Sequence, residues 1–350
     1  MLHFVRHLSL SGTPVLSSTL ALMLYNEYMT NLESEHVHDP EYPFLHNKIP
    51  VADELEGFTS FIEKYPDFNF CPYLAEKDVE GWDKSTSRVY MNQVLPNFLY
   101  VPVNIGRNDL DALGEFFNFV QDRKDISAVN ITQPHKSSPV LRELYLGDAN
   151  SEVNVDTLIR NGEGRLEPYD LNSTAFVEWY KSDVGPFQDR PVVLVGVGGV
   201  GEPIAKKIAA EKPGSLLLID VADKAAFAAQ LAETSGVATA FEPSLQRVLQ
   251  AELPEGSILI NAAGKEGATN ESELWKLIQK GANDSTFVDI RPQLDIEIVE
   301  EAKRHDWNAH TGHGMNARND YVLLQGIARQ IPGATPPSFE GFQRLVARAS

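Results

Sequence analysis

Asn130-Ile131-Thr132-Gln133-Pro134-His135-Lys136 brings an amide, a hydroxyl and an ammonium into one short run. On a strand, Asn130 and Thr132 project to one face, and Pro134 ends the ladder because proline has no N–H to donate. Lys136 then falls at the strand's C-terminal end. A lysine held against low-dielectric walls loses proton affinity and can exchange a proton with a substrate hydroxyl near neutral pH. In open solvent the same residue would only begin a helix.

A second run has a different chemistry. Val192-Val193-Leu194-Val195 leads directly into Gly196-Val197-Gly198-Gly199-Val200-Gly201, so an apolar strand meets closely spaced glycines. Glycine lets backbone N–H groups approach a phosphate, and a helix beginning at Val200 points the positive end of its dipole at the anion. Ser215–Ile219 reads as the next buried strand and ends at Asp220. An acid about 20 residues past the first glycine meets the adenosine ribose hydroxyls of a dinucleotide. No arginine stands at 221–224 to hold a 2′-phosphate, so NAD is expected and NADP is disfavoured.

The elements that must position these residues fall on either side of the breaker pair Gly185-Pro186. From Pro191 to about Gly312, short apolar strands (192–195, 216–219, 257–260, 286–290) alternate with helical stretches at 204–210 and 225–234, the pattern of a doubly wound parallel sheet. Upstream, 98–103, 110–120 and 126–132 read as strand, helix, strand. The chain is therefore expected to be an α/β protein of two domains. Residues 1–185 form an N-terminal α/β substrate domain, 186–317 a Rossmann-type dinucleotide-binding domain, and 318–350 helices that pack back on the first. Residues 33–96 stand apart as an acidic, aromatic, proline-bearing insert, helical only near 55–65 and suited to a substrate entrance or a subunit contact, as in a homodimer.

Composition narrows the class. The 350 residues carry 30 basic and 49 acidic side chains, a net charge of −19, which repels nucleic acid and anionic membrane. Hydrophobic residues make up 43% of the chain, enough for real cores, but no run reaches the ~20 apolar residues of a membrane helix. Arg6 and the run 15–25 are broken by Gly12, Pro14, Ser17 and Ser18 and read as a domain helix, not a leader. A lone cysteine, Cys71, excludes an internal disulfide and suits the cytoplasm. Neither His36 and His38 with Asp39, nor His305, His310 and His313, has the spacing of a metal site, and no metal is expected.

The order Asn-x-Thr-x-Pro-His-Lys followed by a glycine-loop domain resembles the shikimate/quinate dehydrogenases over most of 1–30 and 97–350. The resemblance implies a nicotinamide-dependent oxidoreductase. Hydride would pass between the nicotinamide and a ring hydroxyl or ketone of a shikimate-like cyclic polyol or hydroxy acid. It also implies Lys136 as half of a lysine–aspartate dyad, Asn130 and Thr132 on substrate hydroxyls, and Ser18, after Gly12-Thr13-Pro14, on a carboxylate whose second serine position here holds Leu20; Ser9 and Ser11 offer another pair. Gly196, Gly198, Gly199, Gly201 and Asp220 would hold the cofactor, Asn261-Ala262-Ala263 would lie beneath the nicotinamide, and Gln325 would reach the substrate. The dyad itself departs from the pattern. Through the hairpin Asp156-Thr157-Leu158-Ile159 to Tyr169-Asp170-Leu171-Asn172, Asp156 stands where the family has asparagine and Asn172 where it has the catalytic aspartate. Anchoring at Asn154 instead brings Ser173 or Thr174 to that place, with Asp170 the nearby carboxylate. Either Asp156 serves the same oxygen from the other side, or the chain binds the dinucleotide as a sensor or partner protein with its reaction impaired. A folate one-carbon dehydrogenase is the remaining alternative, since it shares the two-domain plan and a cleft lysine.

Overall fold

The computed structural model describes residues 52–76, 91, 94–95, 97–151, 153–250, 253–263, 271–280 and 284–349. They belong to one compact unit, Ile49–Ser350. Two six-stranded sheets organise it.

The first sheet holds β1 (Ala52–Asp53), β2 (Asn69–Ala75), β3 (Phe98–Asn104), β4 (Ala128–Ile131), β5 (Thr157–Arg160) and β6 (Leu166–Tyr169), in the order β1-β3-β2-β4-β5-β6. The first four run parallel; β5 and β6 return as an antiparallel hairpin. Helices α1 (Glu54–Lys64), α2 (Leu110–Asp122), α3 (Pro139–Leu146) and α4 (Leu171–Trp179) accompany it. In α2, Leu113, Phe116, Phe117 and Val120 recur at helical spacing and are buried, and Asp109 accepts the Ala112 N–H at 3.0 Å as N-cap.

The second sheet is wholly parallel, as its near-continuous apolar strands require. Its strands are β7 (Pro191–Val195), β8 (Ser215–Ile219), β9 (Thr239–Glu242), β10 (Ile258–Asn261), β11 (Thr286–Asp289) and β12 (Asn308–Thr311), ordered β12-β11-β10-β7-β8-β9. They alternate with α5 (Gly201–Ala210), α6 (Ala225–Ser235), α7 (Gln246–Gln250), α8 (Glu271–Gln279) and α9 (Glu297–Arg304), and α10 (His313–Ala328) and α11 (Phe339–Ala349) follow. The chain winds outward from β7 to β9 and restarts beside β7 at β10. The strand order therefore reverses between β7 and β10, where open α/β sheets bind ligands.

Two elements depart from the sequence reading, β1 at the edge of the first sheet and β2 within it. Residues 33–96 were expected to stand outside the α/β plan, yet β2 lies in the middle of the first sheet, paired with β3 on one side and β4 on the other. Pro72 disguises it, because proline is rare in a central strand. The ladder to β4 accommodates it: Phe70 bridges Ile126, pairing resumes only at Tyr73, and the position without an N–H falls in the gap.

Candidate active site

The glycine loop owes its shape to close approach. Gly196 has φ +90°, and a Cβ there would lie 2.5 Å from the Ala263 nitrogen on the loop leaving β10. A Cβ at Gly201 would overlap the Gly196 carbonyl oxygen, whereas at Gly198 it would meet nothing within 4 Å. The turn is thus packed underneath and open above. Val200, at the N-cap of α5, supplies no side-chain cap. The N–H groups of Gly198, Gly199 and Val200 find no protein acceptor among the described residues. Asp220 braces the loop, its Oδ2 accepting the Val197 N–H at 2.6 Å and its Oδ1 the Ala222 N–H at 2.8 Å. These residues can hold a dinucleotide: free donors at a helix start face open space, with an acid at the next strand's end.

Asn261 and Ala262 follow at the end of β10. The Asn261 amide donates to Asp289 Oδ2 at 2.8 Å, and its Oδ1 accepts the Ala263 N–H at 3.3 Å. Asp289 is fully buried and also receives Arg291 through Nε and Nη2 at 2.9 and 2.8 Å. The Ala262 N–H donates to the Val195 carbonyl, tying this turn to the glycine loop.

In the first sheet, Asn130 and Ile131 end β4, and Thr132 donates its hydroxyl to the Gln133 carbonyl. Lys136 lies in a single 3-10 turn, His135–Ser137, and is 7% exposed, so the residue as a whole is drawn in from bulk water. His135 beside it is also buried. Burial holds its pKa below the ordinary histidine value, opposed by the backbone of Ala75 and Ile105 and by the Glu76 carboxylate. Gln133 reaches the other sheet, and a Cβ on Gly199 would overlap its Nε2. The segment that leads into the Lys136 turn therefore packs against the glycine loop.

Asp156 and Asn172 converge at the same end of the first sheet. The Asp156 carbonyl accepts the Ile131 N–H at 2.8 Å. Its carboxylate, 2% exposed, closes the start of α4: Oδ1 accepts the Leu171 N–H and the Thr157 hydroxyl, both at 2.9 Å, and Oδ2 accepts the Asn172 N–H at 2.8 Å. Asp170 takes the third free N–H, that of Ser173, together with the Ser173 hydroxyl. Burial pushes the Asp170 pKa up, with the Asp156 charge adding to it and Ser173 opposing. Both carboxylates are thus engaged by the helix they start, where anions are favoured.

The Asn172 side chain pairs differently. Its Oδ1 accepts from Asn319 Nδ2 at 2.6 Å. Gln325, the α10 residue singled out from sequence, lies nearly two turns further on, half-buried and on another face of that helix. Ser18, Ser9, Ser11 and Leu20 lie outside the described residues, as do His36 and His38. Sequence reasoning missed Asn319, and left Gln133 without a role although its motif was in hand. A run of amide and acid side chains in α10, Asn316, Asn319 and Asp320, was the available signal. Trp179 was missed too: it packs so closely on the start of α10 that a Cβ at Gly314 would overlap its Nε1.

No family model and no curated protein sequence matches the chain. Solved structures do. Shikimate dehydrogenase from Aquifex aeolicus superposes with a TM-score of 0.59 at 18% identity, covering 80% of this chain and 97% of that one. Quinate dehydrogenase from Corynebacterium glutamicum, solved in complex with NAD, gives 0.57 at 15% identity, covering 81% and 99%. The fold is that of the shikimate and quinate dehydrogenases. 5-Ketofructose reductase of Gluconobacter shares it, with a TM-score of 0.55 at 15% identity over 81% of this chain and 99% of that one. The shikimate dehydrogenase fold accounts for both sheets. Among the described residues no helix is long and apolar enough to cross a membrane, and no group of three His, Cys, Asp or Glu side chains could hold a metal.

Proposed function

We propose that the chain is a nicotinamide-dinucleotide-dependent oxidoreductase acting on a hydroxyl or carbonyl of a shikimate-like or sugar-like polyhydroxylated small molecule. The observation that carries this is the approach of the two sheets at Gln133 and Gly199. An uncapped, open glycine loop and a buried lysine turn face each other through the Gln133–Gly199 contact. Bound there, the dinucleotide supplies the hydride chemistry; the protein supplies orientation and the proton.

Gly196, Gly198, Gly199 and Gly201 would seat the pyrophosphate, and Asp220 would take the adenosine ribose hydroxyls. The lack of any arginine at 221–224 supports NAD over NADP. Asn261 and Ala262 would border the nicotinamide. Lys136 would hold the substrate oxygen and carry its proton, with Asn130 and Thr132 on neighbouring hydroxyls. Asp156 would serve through position, since three of the four lone-pair sites on its carboxylate are filled by protein donors. We assign the substrate to the lobe of the first sheet and the dinucleotide to that of the second. Two similar structures, a quinate dehydrogenase in complex with NAD and a 5-ketofructose reductase, support both parts of the reading.

A second reading is favoured by one observation. Position 172 holds an amide and the nearest carboxylates cap a helix, so the protein could bind the dinucleotide without turning over. Titration of purified protein with NADH, followed by nicotinamide fluorescence, tests binding. Assays of wild type and Lys136→Ala against cyclic hydroxy acids and keto sugars test reaction. The enzyme reading expects NADH binding by both proteins and turnover lowered about 10³-fold in the variant. Binding without turnover on any substrate would favour the sensor.

A further inference from the structure

We propose that Glu202 sets the choice between the two nicotinamide dinucleotides: by holding the Lys224 ammonium against the start of α5, it denies a 2′-phosphate the cation that the neighbouring loop carries. This rests on the oxidoreductase reading above and deepens it by naming the residue behind the preference for NAD.

NAD and NADP differ only at the adenosine ribose, where a phosphate monoester puts about two negative charges in place of a neutral hydroxyl. A parallel sheet of this plan receives that ribose at the acid ending its second strand, and a 2′-phosphate at a basic residue nearby. The acid here is Asp220. Between it and α6 the chain reads Val221-Ala222-Asp223-Lys224, so the basic residue of this loop is a lysine placed four positions on. Lysine serves phosphate as a point charge, and Lys224 is the residue on which a 2′-phosphate would draw.

That charge is already engaged. Lys224 Nζ lies 3.2 Å from Glu202 Oε2, and Lys206 Nζ lies 3.3 Å from Glu202 Oε1. Glu202 stands in the first turn of α5, and its N–H donates to the Gly198 carbonyl at 2.9 Å, so its backbone is part of the glycine loop's own turn. The loop after β8 is therefore tied to the cofactor seat twice, by Asp220 on the Val197 N–H and by Lys224 on Glu202. Lys206 is steadied from its other side by the Phe227 ring, 5.5 Å from its ammonium. All three charged side chains are partly exposed, so these ion pairs add little to the stability of the fold. Their effect on a second anion is larger. The carboxylate cancels the Lys224 charge where it stands, and it repels a phosphate brought beside it. A ribose hydroxyl, being neutral, meets neither penalty. Favourable charge at a helix start explains an acid at 202, but not why the lysine of the next loop is drawn onto it.

The test titrates NADH and NADPH separately into wild type, Glu202→Gln, Lys224→Ala and the double variant, followed by nicotinamide fluorescence. The ratio of the two dissociation constants is compared between proteins. The two ligands share every group but the 2′-phosphate, so a general weakening of the loop cancels in that ratio. Wild type is expected to prefer NADH. Glu202→Gln keeps the length of the side chain, releases Lys224, and is expected to move the ratio about tenfold toward NADPH. Lys224→Ala alone brings no such gain, and the double variant is expected to lose it. A merely structural Glu202 would weaken both ligands alike and leave the ratio unchanged, which overturns the inference while the oxidoreductase reading stands. A gain that survives in the double variant overturns it too, because the carboxylate would then act without Lys224. Wild type that binds NADPH as tightly as NADH overturns it likewise. Failure of wild type to bind either dinucleotide removes the parent reading, and this one with it.

Discussion

At Asp156 the two oxygens of one carboxylate close a helix end, and that limits what else they can do. Removing them in Asp156→Ala strands the N–H groups of Leu171 and Asn172 in a buried place, at an expected cost of about 2 kcal/mol in urea unfolding. Loss of that size with dinucleotide affinity intact would support a positioning role; full stability with lost turnover would make Asp156 catalytic. His135 adds a pH dependence. Its folded pKa is depressed, so the unfolded chain takes up the proton first as pH falls. The stability it contributes is complete above about pH 6.5 and declines below that value. His310, depressed mainly by burial and further by Lys303, acts in the same sense. The Tm of wild type is expected to fall between about pH 7 and pH 5, and to fall less steeply in His135→Gln. A curve unchanged by that substitution would clear His135 of the effect.

At the scale of elements, buried polar side chains hold the ends that the sheets leave open. Arg160, 5% exposed on β5, donates to the carbonyls of Val120, Gln121 and Arg123 at the end of α2, and to those of Ile126 and Gly164. It has no carboxylate partner among the described residues; the negative end of a helix serves instead. Arg160→Met leaves these carbonyls unpaired and is expected to cost about 3 kcal/mol, read as a lower urea midpoint. A change within about 0.5 kcal/mol would mean that water replaces the guanidinium. These elements also mark what the sequence discloses. Strands β7, β8, β10 and β11 were legible because a buried parallel strand is a short apolar run, and the glycine loop because its spacing has a mechanical reason. β2 was not, since Pro72 speaks against a central strand until the gap in its ladder is seen. The site was legible where residues adjoin in sequence, from Asn130 to Lys136. It was illegible where a contact joins distant positions, as Asn319 joins Asn172, because nothing in helix periodicity says which turn of α10 meets the start of α4.

At the scale of the molecule, the two sheets meet where Gln133 rests on Gly199, and the approach is sterically tight. A Cβ at 199 would overlap Nε2, the end of a flexible side chain and not backbone, so the amide can swing aside and the fold should survive. Gly199→Ala is accordingly expected to change stability by less than about 1 kcal/mol. Dinucleotide affinity should suffer more, by about tenfold, as the crevice opens and the loop N–H groups move off the phosphate. The added methyl could instead obstruct the phosphate directly. Trimming Gln133 separates these causes. If the clash across the crevice is responsible, Gln133→Ala combined with Gly199→Ala regains most of the affinity that Gly199→Ala loses, a coupling visible in a double-mutant cycle of NADH binding. Additive losses would mean that Gly199 answers only to the ligand, and that the two sheets keep their separation without help from this contact.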